Sequence, residues 1–267
     1  MELPLRLSTQ PWTPPPTVPA LEADEIHVWR VEVGSAYTRR DDLWSYLAGD
    51  ERQKAADFLF EGDRKRFVVA RGVLRALLGC YLRRHPGSLG FAYNPFGKPH
   101  LSDDFGFRFS TSHSHGLVLL AFARGRDVGV DIERVRADLG LEGIAARYFS
   151  PREIATLHSL RNGLRERAFF ACWTRKEALA KAEGKGLALP LRRFDVTLTP
   201  GESAMLLDTR GDLLVPTKWT LQELAIDPGY VAAMAVEGSG LRLSCWQYTD
   251  GFCCDDLVRR GPPSPRG

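Results

Sequence analysis

The sequence predicts an α+β fold, and three observations carry that prediction. Strand-like segments flank helical ones in each half of the chain. The longest apolar-rich stretches show helical periodicity, whereas the short ones alternate with a period of two. The 267 residues, 44% apolar and 26% charged, are enough to bury one large core or two smaller ones.

In chain order, residues 26–33 alternate and read as a strand. Residues 41–60 and 63–85 read as two amphipathic helices, the second rich in Val, Leu and Ala. Short strands follow at 107–109 and 117–123, and an acidic strand at 127–133. Ser150-Pro151-Arg152-Glu153 opens the second half as a helix start, with a Ser cap, Pro first and Glu third. A helix over 169–181 comes next, then strands near 194–198, 219–225, 230–236 and 241–246. No sequence repeat relates the two halves.

The net charge of +3 gives no electrostatic case for nucleic-acid or general membrane binding. Residues 1–20 hold Pro4, Pro11, Pro14, Pro15, Pro16 and Pro19 without a continuous apolar core. They read as an extended surface tail and not as a secretory signal or membrane anchor. Residues 259–266 have the composition of a disordered end. The five cysteines (Cys80, Cys172, Cys245, Cys253, Cys254) are odd in number and lack a C-x-x-C pair. Cys80 and Cys172 fall in helical, apolar surroundings and are expected as buried free thiols, a pattern that suits a reducing cytoplasm.

The chemistry concentrates in two segments. On the strand Val128-Gly129-Val130-Asp131-Ile132-Glu133, Asp131 and Glu133 share one face and Val130 and Ile132 the other. Adjacent carboxylates repel unless a cation or a proton sits between them. With no Cys or His at metal spacing, an all-oxygen set favours a hard ion such as Mg²⁺. A strand end with two solvated acids is the alternative. On the helix, Phe169, Trp173, Glu177 and Lys181 recur at i+4 along one stripe, and Arg175 points nearly the opposite way. A buried acid on that stripe needs a partner. Lys181 is one candidate, and a plain helical Glu–Lys pair is the bland reading.

Further motifs precede and follow these segments. Asn94-Pro95-Phe96-Gly97-Lys98-Pro99 has the composition of a turn between strands. Phe109-Ser110-Thr111-Ser112-His113-Ser114 holds His113, and taken alone His113 and His115 read as ordinary loop histidines. Arg64-Lys65-Arg66 is a basic run of the kind usually found on a solvated face. Gly184-Lys185-Gly186-Leu187 directly follows the helix. Taken in order, the Gly-Lys-Pro, Ser-His-Ser, Gly-Val-Asp-Ile-Glu, Trp173-to-Lys181 and Gly-Lys-Gly-Leu elements resemble the signature of the 4′-phosphopantetheinyl transferases, in particular the surfactin-synthetase-activating (Sfp-like) class. The resemblance runs from about residue 50 to about residue 236.

That resemblance implies a fold of two similar α/β subdomains related by a pseudo-twofold, with coenzyme A in the cleft between them. The expected division is a tail at 1–21, subdomains at 22–127 and 128–249, and a second tail at 250–267. It implies transfer of phosphopantetheine from coenzyme A to a serine of an acyl or peptidyl carrier protein. Asp131, Glu133 and Glu177 would hold Mg²⁺ with the coenzyme A pyrophosphate, and Glu177 would help deprotonate the serine. Lys181 would neutralise or protonate the departing 3′,5′-ADP. Lys98, Pro99, Ser112 and His113 would contact the nucleotide, with Arg66 joining them. A monomer is expected, because one chain would supply both walls of the cleft. Two rivals remain at this point: another Mg²⁺-dependent phosphoryl or nucleotide hydrolase, and a coenzyme A or carrier-protein binding module without catalysis.

Overall fold

The computed structural model describes residues 6–7, 12–103, 105–136, 140–161, 163–211 and 214–249. The first half runs β1 (Arg6–Leu7), β2 (Glu25–Glu32), α1 (Val33–Ala36), α2 (Arg40–Tyr46), α3 (Gly49–Ala56), α4 (Glu61–Leu82), β3 (Phe91–Tyr93), β4 (Pro99–Leu101), β5 (Phe107–Ser114), β6 (Leu117–Arg124) and β7 (Val128–Arg134). The second half runs α5 (Leu141–Tyr148), α6 (Pro151–Ser159), α7 (Arg165–Glu183), β8 (Phe194–Val196), β9 (Leu206–Thr209), β10 (Trp219–Glu223), β11 (Tyr230–Glu237) and β12 (Arg242–Gln247). The α+β prediction holds.

Two sheets carry the fold, in strand orders β1-β12-β2-β6-β5 and β10-β11-β7. Their alternating side chains build three apolar layers. Trp29, Val31, Val118, Leu120 and Phe122 face α4, joining Val69, Val73 and Leu77. The intervening residues of the same strands, Ile26, Val28, Leu119 and Ala121, face the second sheet through Val130, Ile132, Ala232 and Met234. The outer face of that sheet, Val231, Ala233 and Ala235, packs with Phe169, Ala178 and Leu179 of α7. The order is therefore helix, sheet, sheet, helix. Asp131 and Glu133, at the odd positions of β7, turn away from the inter-sheet layer and toward α7.

Four expectations change. The predicted helix over 41–60 is two helices, because the chain is extended at Leu47 and Ala48. Glu51 holds the restart, accepting from the Ala48 N–H at 2.9 Å while pairing with buried Arg75 at 2.7 Å. The strand expected at 107–109 extends to Ser114, so His113 lies on a strand and not in a loop. The division at 127/128 does not partition the strands, since β12 lies in the first sheet, parallel to β2. There Leu243 fills the inter-sheet layer and β12 covers what would otherwise be an open edge of β2. Finally, Cys172 is a buried free thiol as expected, but Cys80 is disulfide-bonded.

The Pro-rich segment is docked where it is described: Thr13 bridges to Trp246, and the Trp12 indole donates to the Ala225 carbonyl at 2.5 Å. The expected C-terminal tail at 250–267 lies outside the described residues. Among the described residues, no helix is long and apolar enough to cross a membrane.

Candidate active site

β5 and β7 are the edge strands of different sheets, and they meet in a seam beneath α7. Side chains, rather than a backbone ladder, join them. The hydroxyl oxygens of Ser110, Ser112 and Ser114 accept the N–H groups of Val130, Ile132 and Arg134 at 3.1, 3.3 and 3.0 Å. Ser112 then donates to Asp131 Oδ1 at 2.8 Å, and Ser114 donates to Glu133 Oε2 at 3.0 Å. The Ser-His-Ser element thus presents its serines to the acids and its histidine to the exposed side.

α7 reaches the seam because Gly129 leaves room for it. A Cβ at that position would collide with the Ala178 carbonyl oxygen and the Ala182 nitrogen. The close approach sets Glu177 and Lys181 on either side of that contact, over Asp131. Lys181 Nζ donates to Asp131 Oδ1 at 2.7 Å, to the Val130 carbonyl at 3.1 Å and to the Thr111 carbonyl at 3.4 Å. Lys181 therefore partners Asp131, and the helical Glu177–Lys181 pair is not what satisfies this lysine. Its three N–H directions are matched by three acceptors across the seam.

Two carboxylate oxygens are left over. Asp131 Oδ2 and Glu177 Oε1 are buried and have no hydrogen-bond partner. Burial, followed by the charges of Asp131 and Glu133, pushes the Glu177 carboxyl up to about 7 against the pull of Lys181. Burial and Asp131 likewise raise Glu133, and Ser114 opposes the shift. Among the described residues, no three His, Cys, Asp or Glu side chains are gathered as a ready-made metal cage. The donor chemistry still fits a hard divalent cation, which commonly takes one or two carboxylates and completes its shell with water and substrate phosphates. A cation here would relieve both the orphaned oxygens and the mutual repulsion.

Lys98 and Asn94 meet the C-terminal end of α7. Lys98 Nζ donates to the Ala182 carbonyl at 2.8 Å and to Asp127 at 3.3 Å. Asn94 Nδ2 donates to the Gly184 carbonyl at 2.7 Å. The β3–β4 hairpin therefore caps the negative end of α7, where Gly184 turns left-handed with φ 72°. Burial lowers the Lys98 ammonium in spite of Asp127. Lys98 and Pro99 also line a cavity of about 200 Å³ that includes Lys181, Thr111 and Phe96. A larger cavity of about 370 Å³ also borders Lys98, with His100, Arg108 and Asp127. The smaller one reaches Lys181, whose ammonium bonds Asp131, and is the better candidate for ligand. Arg66 ion-pairs with Asp63 on α4. Burial, followed by the charges of Arg66 and Lys181, lowers the His113 imidazole.

The far side of α7 held residues that the sequence reading passed over. Arg175 does point away from Glu177, but into the protein: it is buried, donating to the Thr197 carbonyl at 2.5 Å and to Glu223 at 2.7 Å. Lys176 is fully buried and pairs with Glu153 at 2.8 Å. Ser110 and Ser114 were also missed as ligands of the acidic strand. Their signal was present in the strict alternation Ser110-Thr111-Ser112-His113-Ser114, which places three hydroxyls on one strand face.

A family model described as the 4′-phosphopantetheinyl transferase superfamily matches residues 127–235, a span that contains both β7 and α7. The 4′-phosphopantetheinyl transferase HetI of Nostoc sp. is 40% identical over 240 residues, covering 89% of this chain and 98% of that protein. This chain belongs to the 4′-phosphopantetheinyl transferase superfamily. The transferase Sfp of Bacillus subtilis is 30% identical to this phosphopantetheinyl transferase over 192 residues, covering 71% of this chain and 82% of Sfp. A solved holo-(acyl-carrier-protein) synthase from Bacillus anthracis, in complex with CoA, aligns over 42% of this chain and 96% of its own, at 19% identity and TM-score 0.34.

Proposed function

We propose that this transferase moves the 4′-phosphopantetheine group from coenzyme A to a serine of an acyl or peptidyl carrier protein, releasing 3′,5′-ADP. The observation that carries the site assignment is the pair of buried, unpartnered oxygens on facing elements, Asp131 Oδ2 and Glu177 Oε1. Asp131, Glu133 and Glu177 would hold Mg²⁺, which when bound stabilises charge developing on the pyrophosphate. The chain's own residues do the rest. Glu177, whose carboxyl sits near 7, takes the proton of the incoming serine. The serine oxygen bonds to the phosphorus that carries the pantetheine arm, and the bond from that phosphorus to 3′,5′-ADP breaks. Lys181 acts through its charge, since its donors are already committed to Asp131, Val130 and Thr111. Arg66, His113, Lys98 and Pro99 line the phosphate and nucleotide side. Residues 22–127 and 128–241 supply the two walls, with β12 returning to the first, so one chain suffices and the working unit is a monomer.

The test is incubation with coenzyme A, Mg²⁺ and an apo-carrier protein. The carrier gains the mass of phosphopantetheine and 3′,5′-ADP appears in equal amount. Degradation of coenzyme A without labelling of the carrier would instead establish a hydrolase.

A further inference from the structure

The two edge strands at the seam come within hydrogen-bonding reach yet exchange serine contacts instead of a ladder. Each of these serines has one hydroxyl proton and accepts one β7 N–H. For Ser114, accepting from Arg134 N at 3.0 Å leaves the proton to go to Glu133 Oε2, also at 3.0 Å. Both partners are thereby fixed at once: the hydroxyl rotor is set by the backbone, and the carboxylate is set by the hydroxyl. Glu133 is only partly buried and has burial and the Asp131 charge acting against its ionised form. Removing the Ser114 hydroxyl takes away the hydrogen bond that ties this carboxylate to β5.

We infer that Ser114 is a positioning residue: it orients the Glu133 carboxylate for catalysis while stitching β5 to β7, so seam and active site share one hydrogen-bonded device. The inference rests on the reading of Glu133 given above and extends it to a residue that touches neither substrate nor the reacting atoms.

Four variants test it, each measured for kcat, for KM toward coenzyme A and carrier, and for Tm. Ser114→Ala lowers kcat about 10-fold or more, in keeping with loss of a hydrogen bond to a charged group, with KM for coenzyme A changed by less than about 3-fold. Ser114→Thr, which keeps the hydroxyl and suits a strand, returns kcat to within about 3-fold of the parent. Val73→Ala, a truncation in the layer beneath α4, lowers Tm and leaves kcat unchanged. Glu133→Gln loses turnover.

If Ser114→Ala and Val73→Ala reduce kcat alike in proportion to their Tm, or a folded Ser114→Thr fails to recover, the positioning role is wrong. If Glu133→Gln turns over normally, the reading of the acid is wrong, and that failure is distinct from a normal Ser114→Ala beside an inactive Glu133→Gln.

Discussion

Lys176 and Glu177 are neighbours on one helix, and both are ionisable groups taken largely out of water. They teach opposite lessons. Lys176 makes contacts to Glu153 at 2.8 Å, to the Leu191 carbonyl at 2.6 Å and to the Phe194 carbonyl at 2.7 Å, so every donor is used. Glu153 is equally occupied, accepting from Ser150 N and Val196 N. Glu177, one residue on, keeps a buried oxygen with no partner and a carboxyl raised to about 7. Burial is common to both. What marks the Glu177 face as the working one is burial left unsatisfied, since a structure that only needed stability would have paired or removed that charge.

The comparison can be broken by substituting on each side. The largest effect belongs to the satisfied face. Lys176→Met strands Glu153 as a buried unpaired acid and should remove about 3–5 kcal/mol of stability, read as a lowered midpoint in denaturant. A neutral outcome would mean that the Lys176–Glu153 pair does not brace α7. Next comes the contact that sets the height of α7. Gly129→Ala puts a methyl group into the Ala178 carbonyl and should lose about 1–3 kcal/mol while also lowering kcat, because Glu177 and Lys181 shift over Asp131. A variant that loses stability but keeps full turnover would uncouple helix height from chemistry. The smallest effect is expected at the helix end, where Lys98→Met removes a cation from the C-terminal carbonyls and should cost about 0.5–1 kcal/mol. If the loss there appears only in KM for coenzyme A and not in stability, Lys98 serves the ligand rather than the cap.

Much of the site was legible because its local geometry is periodic. Strand alternation put Asp131 and Glu133 on one face, and the i+4 stripe put Glu177 and Lys181 together, both as found. The partner of Lys181 was not legible, because Asp131 lies on another element and no spacing rule reaches across 50 residues. Lys176 was hidden for the same reason. A lysine in a helix reads as solvated until Glu153, Leu191 and Phe194 arrive from elsewhere. Residues 241–246 were correctly a strand, but pairing with β2 across more than two hundred residues leaves no local trace. The break at Leu47 and Ala48 was missed because the helical pattern on its two sides continues in phase, and Glu51 and Arg75 enforce the restart from a distance.

The central claim is that Glu177 is held as an unsatisfied acid, and thermal or denaturant unfolding of Glu177→Gln against the parent, in chelator, tests it most directly. The folded carboxyl lies near 7 and its ordinary value is 4.5, so between those values the native state binds its proton more tightly than the unfolded chain does. The parent therefore loses stability as pH rises through that window, and Gln does not. The difference should be small at pH 5, grow through pH 7, and level off by pH 8 with Glu177→Gln more stable by about 3 kcal/mol and unable to label a carrier protein. A Gln variant that is less stable at pH 8, or a difference that does not change with pH, would contradict the account.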